Sequence, residues 1–310
     1  MSTISATLPA DCYACNVPIK HHLGFSIMRS TEGAAILLCL GVISSPAWGQ
    51  FNEQNVAEIR NMHWLPVIGL PLSRSKASLT SLPDYVGVTD AEAARIEAIA
   101  GNSVPGVEAH LLNRKTNAEA VLSYAETGYV HSDDWEKIDP REFLHEISKN
   151  TEAGNAERKL KNIQQLHVDG WVQVPTFNKD SHTASWIILD HTDDGTRSLN
   201  AIALKLGRFG SERITYIDDA KNADQAAQNL LLIANAHQFQ QGARYEQYVA
   251  GSDKAAEFGI AGLVAGVMGV KLVQLAAAGG ILLALKKFGF VLAFPLIWIW
   301  RKFIGRKKQI

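Results

Sequence analysis

The feature that most constrains this chain lies near its end. From Phe258 to Leu285 the sequence is apolar apart from Lys271 and Gln274. At ~1.5 Å of rise per residue a helix of that length exceeds the ~30 Å hydrocarbon core of a bilayer. After Glu257 there is no acidic residue, and eight bases follow: Lys271, Lys286, Lys287, Arg301, Lys302, Arg306, Lys307 and Lys308. Removing those eight from the 30 Lys and Arg leaves 22 against 31 Asp and Glu, so everything up to Glu257 carries −9 although the whole chain carries −1. An acidic body with a basic tail argues against nucleic acid and for a lipid bilayer as the partner of the C-terminus. The central Lys271 costs ~3 kcal/mol on an insertion scale, which the surrounding Leu, Ile and Val offset.

A hairpin of two spans would return the basic tail to the exported side, against the positive-inside tendency. The expectation is therefore one transmembrane helix within 258–285, starting near Ile260, and a segment 286–310 that holds an interfacial helix and a basic cytoplasmic tail. Gly262 and Gly266 form a G-x-x-x-G through which a second copy or another membrane protein could approach closely. At the other end, Arg29 precedes an apolar run from Ala34 to Ser45 and the small residues Ala47 and Gly49. That order is the pattern of a secretory signal peptide cut before Gln50, with residues 1–27 as an upstream extension. Cys12, Cys15 and Cys39 are the only cysteines, so the exported protein would carry none. The layout expected is 1–49 extension and signal, 50–257 exported domain, 258–285 span and 286–310 tail, in a bacterial inner membrane with the main domain periplasmic.

Within the domain the pattern is mixed. Residues 50–78 show weak periodicity and are expected to form an ill-defined arm. Thr89 to Gly101 reads as a short helix capped by Thr89, AVLSY and GYV as strands, and the run from Pro140 as a helix presenting Phe143, Leu144 and Ile147. From His167 onward four strands are expected in an antiparallel meander, with Asp194-Gly195 and Gly207 to Gly210 as turns and Lys205 opposite Glu212. An amphipathic helix, NADQAAQNLLLIANA, would cover the sheet. The fold class is α+β, an antiparallel meander sheet with packed helices, followed by the C-terminal transmembrane helix.

The stretch His167 to Asp194 gathers three histidines, two tryptophans and five aspartates. A turn centred between Asn178 and Lys179 would place Trp171 opposite Trp186 and His167 opposite Asp190. Val172 and Val174 would share an aliphatic face with Ile187 and Leu189, leaving Trp171, Trp186, His167, His182 and Asp190 on the other.

GYVHSDDWEKID at 128–139, NTEAGNAERK at 150–159, Gly170-Trp171 with PTFNKDSHTASW at 175–186, LGRFG at 206–210 and RYEQYVAGSDKAAEFGIAGLVAG at 244–266 occur in this order. Together they resemble the bacterial membrane-anchored proteins classed as domain of unknown function 2167, over roughly residues 75–285. Where such proteins carry Tyr-Asp in the hairpin turn, this chain has Phe177-Asn178. The resemblance implies an exported domain with a membrane anchor. It brings no activity and no catalytic residues.

The chemistry-bearing residues admit two functions. One is a binding or interaction module of the envelope, without cofactor, using His167, Trp171, Trp186 and Asp190; here the bland reading is that both tryptophans are core. The other is an envelope hydrolase in which Asp190 orients His167 as a general base. No metal site is expected, because strand alternation separates the hairpin's His and Asp side chains. The catalytic motifs weighed do not complete: there is no G-x-S-x-G, and HEISK lacks the second histidine of a zincin helix. Asp133, Asp134, Glu136 and Asp139 read as a solvated loop, with a cation site as the competing reading.

Overall fold

Alternating apolar residues drive eight long strands into one antiparallel sheet, and the computed structural model describes it over residues 53–267, apart from 101, 103 and 161–163. The strands are β1 Leu65–Leu72, β2 Ala77–Thr89, β3 Val107–Asn113, β4 Glu119–Ala125, β5 Leu166–Asn178, β6 Thr183–Thr192, β7 Arg197–Leu206 and β8 Ser211–Asp219, with a short β9 at His237–Phe239. Their order is β1-β2-β3-β4-β8-β7-β6-β5, with β9 beside β2. Two meanders are thus joined edge to edge by β4 and β8, and the expected four-strand meander, with Lys205 opposite Glu212, forms the second. The described helices are α1 Glu53–Arg60, α2 Asp90–Ile99, α3 Pro140–Leu160, α4 Ala223–Ala236 and α5 Ile260–Val267.

Both faces of the sheet are buried, which is why β6 reads as a nearly continuous apolar run rather than a strict alternation. On one face, α4 lays Ala226, Leu230, Ile233 and Ala234 against Leu111, Leu122, Ile187, Leu199, Ile214 and Tyr216. The β1–β2 hairpin shares that face. Its register slips between Pro66 and Val67, where Val86 and Leu82 are the successive partners. Such a bulge bends a hairpin sharply. Its tip accordingly returns over the sheet, with Ser73 Oγ 2.9 Å from Asp90 Oδ1 and the N–H groups of Arg74 and Ser75 donating to Glu108. On the opposite face, α1 and α2 cover Val88, Val107 and Val121, while α3 and α5 cover Ala184, Trp186, Ile188, Leu204 and Leu206.

Several expectations are corrected. The arm at 50–78 is α1, β1 and the start of β2; Pro66, Pro71 and Gly69 obscured the strand, and prolines are tolerated there because β1 is an edge. GYV is not a strand: Tyr129 makes only an isolated parallel bridge to Ala255. Thr89 precedes α2, but its hydroxyl makes no cap bond. The hairpin turn spans 179–182 because Asn178 Oδ1 accepts from the N–H groups of Asp180 and Ser181, which widens the loop until Asn178 pairs with Thr183. With three further register shifts in β5, Trp171 faces Ile188 rather than Trp186. Val172 and Val174, expected in an aliphatic core face, are exposed on the edge strand.

The extension and signal expected at 1–49, with all three cysteines, and the apolar and basic segments beyond Val267 lie outside the described residues. No described helix is long and apolar enough to cross a membrane. The described start of the expected span, Ile260 to Ala265, is buried in the domain.

The two tryptophans should differ in energetic weight. Trp186 is 0% exposed, so Trp186→Ala should cost ~3–5 kcal/mol in denaturant unfolding. Trp171 is only half-buried and packs at the margin of the same cluster, so Trp171→Ala should cost clearly less.

Candidate functional site

Two of the hairpin histidines, His167 and His191, lie side by side with ring centroids 5.1 Å apart, and His191 Nδ1 is 2.7 Å from Asp169 Oδ1, but His182 and Asp190 do not join them. The longer loop moves the pairing one way and the three register shifts in β5 move it most of the way back, so that His167 stands opposite His191, and Asp190 opposite Val168. A one-residue change of register turns a side chain to the other face. His167 instead lies between Asp193, with Nε2 3.0 Å from Oδ1, and Glu152 of α3, with Nδ1 2.7 Å from Oε1. Hydrogen bonds to those two carboxylates raise its pKa above the ordinary histidine value. Asp190 points inward and accepts from Ser198 Oγ and Asn200 Nδ2, each at 2.5 Å. Burial pushes its pKa up to about 6 despite those donors. The dyad in which Asp190 orients His167 is therefore not formed. Trp186 is sealed in the core, and Trp171 is fixed by its Nε1–H donating to the Pro140 carbonyl at 3.0 Å. His182 stacks on Tyr245 at the hairpin's far end.

The acidic run after Tyr129 has local structural roles. Asp139 Oδ1 accepts from the Arg141 N–H and caps α3, and Asp134 Oδ1 accepts from the Ala261 N–H at the start of α5.

The unusual chemistry lies inside the sheet, in two groups on opposite faces. On the face covered by α2, His110 of β3 sits between Glu97, with Nδ1 3.1 Å from Oε1, and Glu119, with Nε2 3.3 Å from Oε2; all three are buried. Asn102 also donates to Glu97. Burial alone would push His110 down, but Glu119 and Glu97 more than reverse it, to about 9. Burial raises Glu119 to about 7 against the pull of His110.

On the other face, between the sheet and the layer above it, Glu108 of β3, Glu212 of β8 and His237 of β9 meet, and their ligand atoms lie within 4.8 Å of one another. Each side chain is fully buried. Glu108 Oε2 takes the Arg74 and Ser75 N–H groups, but Glu108 Oε1, both Glu212 oxygens, both His237 nitrogens and Ser75 Oγ have no hydrogen-bond partner. Leaving one buried polar atom unsatisfied costs ~1–3 kcal/mol, so a set like this calls for an explanation. Burial and the neighbouring Glu108 carboxylate push Glu212 well above the carboxylate range. Burial and Lys205 hold His237 down at about 3, hence neutral. Lys205 donates to the carbonyls of Ala234 and His237, and so closes the end of α4.

Sequence reasoning missed all of these residues. The signal available was a charge or histidine at alternate positions inside apolar strands, as Glu108 and His110 in VEAHLL or Glu212 in SERITY. A period-two pattern alone could not reveal that such positions face a second layer.

The segments behind the family resemblance also meet in space. Arg208 of the LGRFG turn forms a paired ion bridge with Asp253, at 2.7 and 2.8 Å, and Tyr129 stacks between Tyr245 and Tyr248, at 4.4 and 3.8 Å between ring centroids. The family described as protein of unknown function, DUF2167, matches residues 68–297. The chain belongs to that family. No curated protein matches it. Among solved structures it is similar to the solution structure of cyanobacterial PsbP (CyanoP) from Synechocystis sp. PCC 6803, at 9% identity over 55% of this chain and 91% of that one, with a TM-score of 0.34. A likeness at that level carries no inference about this member of DUF2167.

Two members of the Glu97–His110–Glu119 group make stability fall at alkaline pH. His110 and Glu119 both have pKa values raised above their ordinary 6.5 and 4.5, so the folded protein binds extra protons there. Their contribution is full below the unfolded values and is lost as pH rises through about 7 and about 9. Glu97, whose pKa is lowered despite burial by its bonds to His110 and Asn102, contributes in the opposite sense as pH falls below the ordinary carboxylate range. Denaturant unfolding between these limits should show a declining free energy, and His110→Gln should flatten its alkaline part.

Proposed function

We propose that this DUF2167 member is a membrane-tethered interaction module of the bacterial envelope, its body exported and its basic tail cytoplasmic. The observation that carries the reading is the seating of α5. Ile260 to Ala265 are buried in the body. The approach to α5 is strapped along 129–134 by Tyr129 N–H to the Lys254 carbonyl, Ala256 N–H to the Tyr129 carbonyl and Ile260 N–H to the His131 carbonyl, each at 2.8 Å. The apolar sequence then continues through Leu285. A domain fastened to the root of its anchor sits close to the lipid without a slack linker. Tyr129, Tyr248 and His131, grouped beside this root, are side chains suited to a headgroup region.

Of the G-x-x-x-G pair, Gly262 is buried in the body and Gly266 is open, so a second copy or another membrane protein would approach at Gly266. A second surface that favours a partner is the outer edge of β5. Val172 and Val174 are 39% and 47% exposed there, next to the anchored Trp171. An edge strand offers free backbone groups, and these apolar side chains give it a lateral grip.

Photo-crosslinking amino acids at Val172 and Val174, with Leu231 of α4 as an exposed control, test this in cells. The expected outcome is a discrete adduct from both β5 positions and none from Leu231, on protein that stays in the membrane after alkaline extraction. Extraction into the soluble fraction would remove the tether. The absence of adducts from β5 would remove the partner surface.

A further inference from the structure

We propose that Glu108, Glu212 and His237 form a binding site for one divalent transition-metal ion, of which Zn2+ is the fitting probe, locking the upper layer of the domain onto its sheet. The three side chains lack the partners that buried polar groups require. They come from β3, β8 and β9, are fully buried, carry five side-chain atoms without a hydrogen-bond partner, and bring one ligand atom from each residue within 4.8 Å of the others. Nothing on the sheet neutralises them. Lys205 is the cross-strand neighbour of Glu212, yet its ammonium is spent on the carbonyls of Ala234 and His237.

The spacing is that of ligands rather than of hydrogen-bonded partners. His237 Nε2 lies 3.7 Å from Glu212 Oε2, too long for a hydrogen bond. Two ligand atoms on a tetrahedron with bonds of ~2.1 Å stand ~3.4 Å apart, so a small inward adjustment closes the shell. The chemistry of the set is also selective. An imidazole with two carboxylates suits Zn2+ and its transition-metal neighbours, whereas Ca2+ and Mg2+ prefer oxygen alone. Glu108 is already oriented by the Arg74 and Ser75 N–H groups on Oε2, the outer-shell support that ligating carboxylates commonly receive, and Oε1 is left for the ion. The hydroxyl of Ser75, buried and unpartnered, belongs to the same turn and is a candidate fourth donor.

The site fits a structural role. Its ligands tie the returning hairpin tip and the strand after α4 to the middle of the sheet, and the ion would replace several unsatisfied groups with bonds.

The test uses the full chain in detergent, unfolded in guanidinium with chelator, refolded with Zn2+, desalted and analysed for metal. Glu212→Gln and His237→Gln, close in size to the residues they replace, are treated alongside. The expected result is one more zinc per wild-type chain than in either variant, and a melting temperature that zinc raises only in the wild type. Counting the difference removes any zinc held by Cys12, Cys15 or other histidines. Equal zinc in wild type and both variants overturns the proposal. So does a wild type that melts identically with Zn2+ and with chelator, in which case the two glutamates share a proton instead.

Discussion

The structure depends on the pairing of β4 with β8. Seven residue pairs, from Glu119↔Ile217 to Ala125↔Ser211, join strands about 90 residues apart in the chain and make one sheet out of two meanders. Each meander alone would expose a long unpaired edge at this seam. Joined, they place β4 and β8 at the centre, covered on both faces, with Ala120, Leu122, Ile214 and Tyr216 directed to one core and Val121 to another.

Burial on both faces determines the fate of every polar residue at the seam. Glu119, Ser123, Glu212 and Thr215 are all removed from solvent. Taking a charge out of water costs several kcal/mol unless partners replace the solvent. On the α2 face most of that replacement is in place: His110 bridges Glu97 and Glu119, and Arg213 donates to Ser123, although Glu119 Oε1 has no hydrogen-bond partner. Under the hairpin tip it is not, and Glu212 and His237 are left facing one another without donors between them. The contrast between these two groups, on opposite faces of the same strands, is what distinguishes a self-contained ion network from a site that calls for an ion. The same seam fixes the seat of α5, which packs on Trp186, Leu204 and Leu206 of the meander that β8 holds in place.

Local grammar made much of this legible. The second meander, its Lys205–Glu212 register, the Asp194-Gly195 turn, α4 and α3 all follow from periodicity and turn residues that act over a few positions. The hairpin at 167–192 departed from expectation in two places: Asn178, whose carboxamide gathers two backbone N–H groups, lengthened the loop, and three register shifts in β5 then changed which histidine faces which acid. The first meander was hidden because β1 carries two prolines that only its edge position permits. The interior glutamates and histidines were visible as letters but not as a site, because their convergence requires the hairpin tip to fold back over the sheet. No local pattern encodes a contact between Ser75, Glu108, Glu212 and His237, which lie on four separate segments.

If the β4–β8 seam binds the two meanders into one cooperative body, native-state hydrogen exchange of the full chain reads it directly. The amides of 120–124 and 212–216 should exchange last and together, with an opening free energy equal to that of global unfolding. Protection that separates the chain into two units, one over 65–125 and one over 166–219, with different opening free energies, would contradict the account.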